Sequence, residues 1–182
     1  YNVNMCVRSS FSKVDGTKVV EVVKMEKMLV KGVSRDNDVA RIALVGLKVT
    51  PGIAFKIFSV LAKGNINVDI ILQSIGRDNT KDISFTVTKK HLEKALEILN
   101  ENKDVIGFAD IKHNENVSKV SIVGAGMVNN PGVAATMFEA LYEAGINIKM
   151  ISTSEIKVSV LIDEKDSERA VAVIHDKFFK NM

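Results

Sequence analysis

The chain has 182 residues, enough for one domain or for two of roughly 70–100 residues each. Its 25 basic and 22 acidic residues are interspersed and give a net charge of +3, while aromatic residues make up 5% and tryptophan is absent. Without a basic block or an aromatic stacking platform, a nucleic-acid-binding surface is not expected.

Other classes are excluded by simple counts. One cysteine, Cys6, cannot form a disulfide within the chain, and this cysteine usage is typical of a reducing, cytoplasmic compartment. No apolar run approaches the roughly 18–20 residues needed to cross a bilayer, so no membrane partner is expected. Because the chain begins with Tyr rather than Met, we expect a piece or a processed form of a longer protein.

Taken in chain order, the first β-rich segment without a neighbouring partner is EKMLVKGVS, residues 26–34. A unit with the order β-α-β-β-α-β follows. Its predicted strands are 40–46, 66–74, 82–87 and 105–113. Its first helix opens at Pro51, predicted as the first helical residue, with an apolar stripe of Ile53, Ile57, Phe58 and Leu61. Its second helix is predicted over 89–101, with Leu92, Ala95, Leu96 and Leu99 on one face.

The unit then repeats. Residues 131–154 superimpose on residues 51–74 with a shift of 80, and nine of 24 positions are identical. The second copy has predicted strands 118–124, 146–154 and 157–162 and a final helix over 164–177. The chain is therefore a duplication of an α+β unit whose element order is that of a ferredoxin-like fold.

The second copy has no fourth strand, because only KNM follows Phe179. A missing strand would leave an open sheet edge, so we predict that the upstream segment 26–34 completes the second sheet. The first unit would then be inserted into the second. The alternative is that this segment is a linker strand that pairs elsewhere.

No catalytic, metal or cofactor site is evident. Gly124 and Gly126 follow a strand, but the third position of a dinucleotide-binding fingerprint is Asn129 and no phosphate loop is present. The histidines, His91, His113 and His175, are far apart and lack carboxylates or cysteines at metal-ligand spacing, so we expect surface positions for those on or beside helices.

A binding geometry does repeat. Pro51-Gly52 and Pro131-Gly132 each open a helix, whose N-terminus offers free N–H groups and a positive dipole end that suit a carboxylate. Glycine would let a ligand approach the backbone. The alternative is that Pro-Gly is simply a favourable helix start. The hairpin that follows differs between the copies, LQSIGRDNTKD against STSEIKV, where ligands would be distinguished.

Residues 120–171, with STSEIKVSVLID as their most specific part, resemble the second ACT domain of aspartate kinases. Residues 49–87 resemble the first ACT domain, and residues 3–19 resemble the last segment of the catalytic domain. The resemblance implies two ferredoxin-like ACT domains, the first inserted into the second. The expected divisions are a catalytic-domain remnant and linker, a first ACT domain and a discontinuous second one, at 1–25, 39–114, and 26–38 plus 115–182.

The resemblance also implies regulation. Aspartate kinases phosphorylate aspartate with ATP, and their ACT domains pair between chains and bind end-product amino acids at that interface. This chain lacks the catalytic core, so it is expected to be inactive alone, with no cofactor of its own. ATP and magnesium would belong to a catalytic domain or alpha-type subunit, and the chain would be a homodimer. It would be either a β-type regulatory subunit or a piece of a longer enzyme.

Two effector sites carry over by resemblance. The first resembles a threonine site, but Val49 stands where the family has an aspartate for the ligand ammonium, which argues against threonine. Its residues are Thr50, Gly52, Ile53, Ala54 and Gln73, with Asn147 and Ile148 from the facing unit. The second resembles a lysine site. Its residues are Met127, Asn130, Gly132, Val133, Ala134, Ser154 and Glu155, with Asn67, Val68 and Asp69 from the facing first unit.

Asp69 and Glu155 would neutralise the two ammonium groups of lysine, because a buried ammonium without a counter-charge costs several kcal/mol. The bland alternative is a pair of solvated carboxylates at strand ends. For the whole chain, the alternatives are a stand-alone amino-acid-sensing module, such as a subunit of a transcriptional regulator, and a nucleotide-dependent enzyme. The catalytic-domain-like segment at 3–19 argues against the first of these.

Overall fold

The computed structural model of the chain describes residues 5–8, 11, 17–19, 30–75, 80–124 and 130–180. Three short strands come first in the sequence: β1 (Met5–Val7), β2 (Thr17–Val19) and β3 (Gly32–Asp36). Within the described residues, β1 and β2 pair with each other in an antiparallel ribbon. None of the helices in the described ranges has the length and apolarity that a bilayer crossing demands.

The first unit is a four-stranded antiparallel sheet in the order β5-β6-β4-β7. Its elements are β4 (Ala40–Lys48), α1 (Ile53–Lys63), β5 (Ile71–Ile75), β6 (Thr80–Val87), α2 (Leu92–Glu101), α3 (Lys103–Ile106) and β7 (Asp110–Asn114). Alternating residues of β4 and β6 pack against α1 and α2, and the most buried include Ile42, Leu44, Phe85, Ile57, Leu61 and Leu99. The strand order is that of a ferredoxin-like fold, as the sequence predicts.

The second unit has the equivalent order, β9-β10-β8-β3, with β3 in the place that β7 occupies in the first. Its other elements are β8 (Val117–Val123), α4 (Val133–Glu143), β9 (Met150–Ser154), β10 (Lys157–Asp163) and α5 (Ser167–Phe179). Val33 of β3 lies opposite Ile122 of β8 and packs against the second core. A strand from before the first unit therefore completes the second sheet. It spans Gly32–Asp36 rather than the predicted 26–34, and residues 26–29 lie outside the described residues.

The duplication is visible in detail. Residues 61–70 and 141–150 have the same order of buried, half-buried and exposed positions. Left-handed backbone recurs at Gly52 and Gly132, with φ of 84° and 103°, and at Asn65 and Gly145, with φ of 58° and 65°. The two copies thus share backbone geometry as well as sequence pattern.

The two units contact each other through a small apolar cluster, Val39, Ile70, Val117, Met150 and Leu161. Ile70 and Met150 are equivalent positions of the repeat. An ion pair joins the units nearby, with 2.8 Å between Lys89 Nζ and Glu164 Oε2. Each of these two residues begins the single 3₁₀ turn that precedes the second helix of its unit.

Several predicted boundaries are wrong. Residues 103–106 are the helical turn α3, closed by Gly107 with φ of 77°, so the strand predicted over 105–113 is confined to β7. The strands predicted from 66 and 146 begin their sheet ladders only at Ile71 and Met150. The helix predicted over 89–101 has those bounds, as a 3₁₀ turn followed by α2, and the helix predicted over 164–177 likewise begins with a 3₁₀ turn but extends to Phe179.

The prediction of proline at the first helical position is also wrong. Helices α1 and α4 begin at Ile53 and Val133, with Gly52 and Gly132 as the N-cap residues. The left-handed backbone at each glycine turns the chain before the helix starts, and this conformation is costly for residues with a Cβ. Each proline therefore precedes the cap.

Candidate functional site

Among the residues that the structure describes, no side chain caps the N-terminus of α1 or α4. Their N-cap residues are glycines, which have no side chain to cap with, and neither helix has an acidic residue in its first turn. The first backbone bond back to each cap comes from Lys56 or Thr136, at 3.0 and 2.9 Å from the glycine oxygen. The preceding N–H groups of each helix therefore have no acceptor within it. By contrast, α2 and α5 carry Glu93 and Glu168 in their first turns.

At α4 this open N-terminus faces a cavity of about 260 Å³. The lining consists of the helix start and the end of the β9–β10 hairpin: Asn130, Pro131, Gly132, Val133, Ala134, Thr153, Ser154 and Val158. The structure thus brings together five predicted residues of the second site. A carboxylate placed here would meet free N–H groups and the positive end of the helix dipole.

The β9–β10 hairpin supplies hydroxyl groups to this cavity and to a second one. Ser154 lies opposite Lys157, and the turn between them consists of Glu155 and Ile156. Thr153 and Ser154 also line the second cavity, of about 160 Å³, with Asp69, Ile70, Ser152, Lys157 and Ser159. The Ser154 hydroxyl donates to the Lys157 carbonyl over 3.4 Å. Glu155 is exposed on the turn and lines neither cavity.

Asp69 of the first unit therefore lies beside the second unit's hairpin within one chain, whereas the resemblance implies that it reaches the site from a facing unit. A third cavity, of about 250 Å³, continues on its other side. The lining includes the predicted residues Asn67, Val68 and Asp69, together with Asp36, Asp38, Val39, Thr86, Val87, Thr88 and Lys119. Asp69 lines both of these cavities.

The Asp69 carboxylate already has a cationic partner. Lys119 Nζ donates to Asp69 Oδ2 and lies 3.2 Å from Asp36 Oδ2, and the Lys119 side chain is only 13% exposed. Burial by itself lowers the pKa of Lys119, but hydrogen bonds and charge attraction from Asp69 and Asp36 outweigh it, so the pKa lies above its ordinary value. Lys119 is thus a charged contact between the two units.

The predicted residues of the first site are placed as follows. Gly52, Ile53 and Ala54 form the start of α1, where Ile53 is buried in the first core. Thr50 and Val49 are exposed just before it, and Gln73 is exposed on β5. In the second unit, Asn147 is exposed and Ile148 packs against the second core. Met127 of the second site lies outside the described residues.

Sequence reasoning missed Lys119, Asp36, Lys157, Ser159 and Val158 as lining residues. Lys119 had a usable signal, because the repeat aligns it with Val39, which is buried in the first unit. A charge at a position that is apolar in the other copy indicates a specific partner. The other four residues gave no comparable signal, because polar residues and valine are both common on half-exposed strands.

No group of three or more His, Cys, Asp or Glu side chains that could hold a metal ion occurs in the described part of the chain. His113 and His175 are exposed, and His91 Nδ1 lies 3.1 Å from the hydroxyl of Thr88. The α4 cavity offers backbone N–H groups and hydroxyls to a polar ligand, and the cavity beside it adds the charges of Asp69 and Lys157.

Two comparisons with known sequences agree on the family. The model of the ACT domain family matches residues 42–102 and 120–178. The aspartokinase of Mycolicibacterium smegmatis is 43% identical over 183 residues, and that of Pseudomonas aeruginosa is 44% identical over 181 residues. Each alignment covers 98% of this chain but only 44% of the relative, so the chain spans less than half the length of these relatives.

Two solved structures of aspartokinase subunits are similar along nearly their whole length. A chain from the crystal structure of aspartokinase alpha and beta subunits is 49% identical, with a TM-score of 0.78. It covers 84% of this chain, which in turn covers 99% of it. The ligand-free regulatory subunit of aspartate kinase from Thermus thermophilus is 40% identical, with a TM-score of 0.78 and coverages of 82% and 99%.

Proposed function

Because the chain belongs to the ACT domain family, among the regulatory regions of aspartokinases, we propose that it senses L-lysine and so controls an aspartate-phosphorylating catalytic region. That region, with its ATP and magnesium, would lie outside this chain, in the same protein or in an alpha-type subunit. Effector binding would favour one of two arrangements of the regulatory units, and only differential affinity for the two can shift their populations.

The observation that carries the proposal is the open N-terminus of α4 at its cavity. A ligand carboxylate there would accept N–H bonds from residues that have no acceptor within the helix. The cavity of about 260 Å³ is slightly below the usual range for small-molecule pockets, roughly 300–1,000 Å³, which suits a ligand the size of an amino acid.

Lysine is favoured over other amino acids by the nearby charges. The second cavity shares Thr153 and Ser154 with the α4 cavity and ends at the Asp69 carboxylate, and Glu155 is exposed on the adjoining turn. Two carboxylates suit the two ammonium groups of lysine, whereas threonine has a single ammonium. At α1 the exposed Val49 offers no charge, so threonine is expected to bind weakly there, if at all.

A homodimer is part of the proposal. Strands β5 and β9 each form one edge of their sheet, the other edges being β7 and β3, and they carry exposed aliphatic residues, with Ile71 49% and Ile151 40% exposed. Exposed, unpaired strand edges invite pairing with another chain. Pairing along these edges would bring a facing unit to each helix N-terminus, as the family resemblance implies.

The proposal is tested by isothermal titration calorimetry with lysine, threonine and methionine separately. Lysine should bind with the highest affinity. Glu155→Ala should weaken lysine binding by about fivefold to tenfold, since a charged partner is worth roughly 1 kcal/mol at an exposed site. Ser154→Ala should weaken it about threefold to tenfold, from the loss of one hydrogen bond.

Ser74→Ala is the matched control, because Ser74 is the equivalent residue of the first unit and is exposed on β5. It should leave lysine affinity unchanged. Unchanged lysine affinity in both Ser154→Ala and Glu155→Ala would remove the α4 hairpin from the site. Tight threonine binding would show that Val49 does not prevent it.

A further inference from the structure

Lys119 forms an ion pair with the Asp69 carboxylate, which the effector ammonium is expected to contact. Its ammonium contacts Asp69 from the second unit, and its side chain is only 13% exposed, although Asp69 itself is 60% exposed. Asp69 is therefore accessible to a ligand on one side and neutralised by the protein on the other. A second ammonium brought to the same carboxylate would meet the like charge of Lys119.

Asp36 is a second ion-pair partner for the Lys119 ammonium. Asp36 Oδ2 lies 3.2 Å from Lys119 Nζ, and the Asp36 side chain is 46% exposed. If Lys119 left Asp69, its half-buried charge would keep this partner, whereas a partly buried ammonium without any partner is costly. Asp36, Asp69 and Lys119 together carry one net negative charge, so one added cation makes the group neutral.

We propose that Lys119 is a specificity-determining residue of the effector site that competes with the ligand ammonium for Asp69 and shifts onto Asp36 when the ligand binds. This inference rests on the proposed function. Only a ligand that brings its own ammonium to Asp69 compensates for the lost contact, so Lys119 would select against ligands that place no positive charge at Asp69. Since the Lys119–Asp69 contact joins the two units, occupation of the site would also loosen that contact.

The test compares lysine affinities of two variants by calorimetry. Lys119→Met frees Asp69 and should tighten lysine binding by about fivefold, the value of a moderately exposed ion pair. Asp36→Asn removes the second partner, so Lys119 should hold Asp69 more firmly and lysine should bind about fivefold more weakly. A purely structural role for Lys119 would not shift the two affinities in opposite directions.

Each variant has a control for its change in net charge. Lys157→Met removes a lysine that lines the same cavity as Asp69, and Asp38→Asn removes a carboxylate from the cavity shared by Asp36 and Asp69. Asp38 accepts the backbone N–H of Lys89 at 3.1 Å, a bond that the Asn oxygen can keep. Both controls should change lysine affinity less than their partner variants.

The outcomes separate the two proposals. Lysine binding that is equal in the wild-type protein and in Lys119→Met overturns this inference and leaves the proposed function standing. The inference is also overturned if Asp36→Asn weakens binding no more than Asp38→Asn. Lysine binding to Lys119→Met but not to the wild-type protein would support the competition by Lys119 but overturn the proposed function. Absence of lysine binding to both would overturn the proposed function and this inference together.

Discussion

At the scale of single residues, Lys119 links electrostatics to stability. Its pKa is raised in the folded chain by Asp69 and Asp36, against the effect of burial, relative to the ordinary value of 10.5. A raised pKa of a basic group means that the folded state holds the proton more tightly than the unfolded state. The stabilisation is therefore complete below pH 10.5 and is lost as the pH rises through the folded-state value.

Lys119→Met should accordingly lower the free energy of unfolding by about 1 kcal/mol at pH 7, the upper end for exposed ion pairs. The difference from the wild-type protein should shrink above pH 10.5, measured by urea denaturation between pH 7 and 11. Lys119→Arg stays charged throughout this range and should show no such shrinkage. A Lys119→Met difference that is constant up to pH 11 would contradict the assigned contacts.

The same scale shows what a sequence can and cannot predict at a helix start. The Pro-Gly pairs located the starts of α1 and α4 to within two residues, because proline and glycine mark chain reversals before helices. They did not reveal that Gly52 and Gly132 adopt left-handed backbone and serve as N-cap residues. Glycine is compatible with both arrangements, so its presence alone could not decide between them.

At the scale of elements, β3 and β7 play the same part in the two units. Val33 of β3 packs against the second core and Ile111 of β7 packs against the first, and both are partly buried. β3 is at the edge of its sheet away from β9, and β7 is at the edge of its sheet away from β5. The chain thus uses a strand from before the first unit to finish the second.

A charge at either position should destabilise one unit selectively. Val33→Asp should speed hydrogen exchange of the amides in β8 and β10 and leave exchange in β4 and β6 unchanged. The free energy of unfolding of the second unit should fall by about 1–3 kcal/mol, because an unpaired polar group is buried. Ile111→Asp is the matched variant, and it should raise exchange in β4 and β6. Equal effects of Val33→Asp on both sheets would argue against β3 as an element of the second unit.

Element order was predictable, but element ends were not. Hydrophobic periodicity identified strands and helices in both copies because each buries one face. The first half of the strand predicted over 105–113 was wrong, because an apolar pair such as Val105 and Ile106 fits a strand and a helical turn equally well. Gly107 ends α3 in a left-handed conformation, which depends on tertiary packing and cannot be seen in the apolar pattern of the sequence.

At the scale of the whole molecule, the proposal requires a second copy. Five of the eight residues that line the α4 cavity were predictable, because the resemblance implies each of those five as a site residue. The position of Asp69 beside the same chain's hairpin was not, because it depends on how the two units pack. The cluster of Val39, Ile70, Val117, Met150 and Leu161 that sets this packing consists of residues that pattern alone would assign to separate cores.

The assembly has its own expected outcome. Light scattering after size exclusion should give about twice 19.9 kDa in the presence of lysine. Ile151→Lys would place a charge on the exposed edge strand β9 and should lower the dimer fraction, since charged edges oppose strand pairing. A strictly monomeric chain with lysine bound would contradict pairing between copies.

The most direct test of the central claim is a lysine titration followed by nuclear magnetic resonance of backbone amides. Binding at the open helix should shift the amides of Val133 and Ala134, together with Ser154, because these N–H groups would donate to the ligand carboxylate or line its cavity. The equivalent amides of Ile53 and Ala54 should shift less, since the exposed Val49 offers no charge to a ligand ammonium there. Saturable shifts centred on Val133, Ala134 and Ser154 are the predicted result. Shifts confined to the start of α1, or no shifts at millimolar lysine, would contradict it.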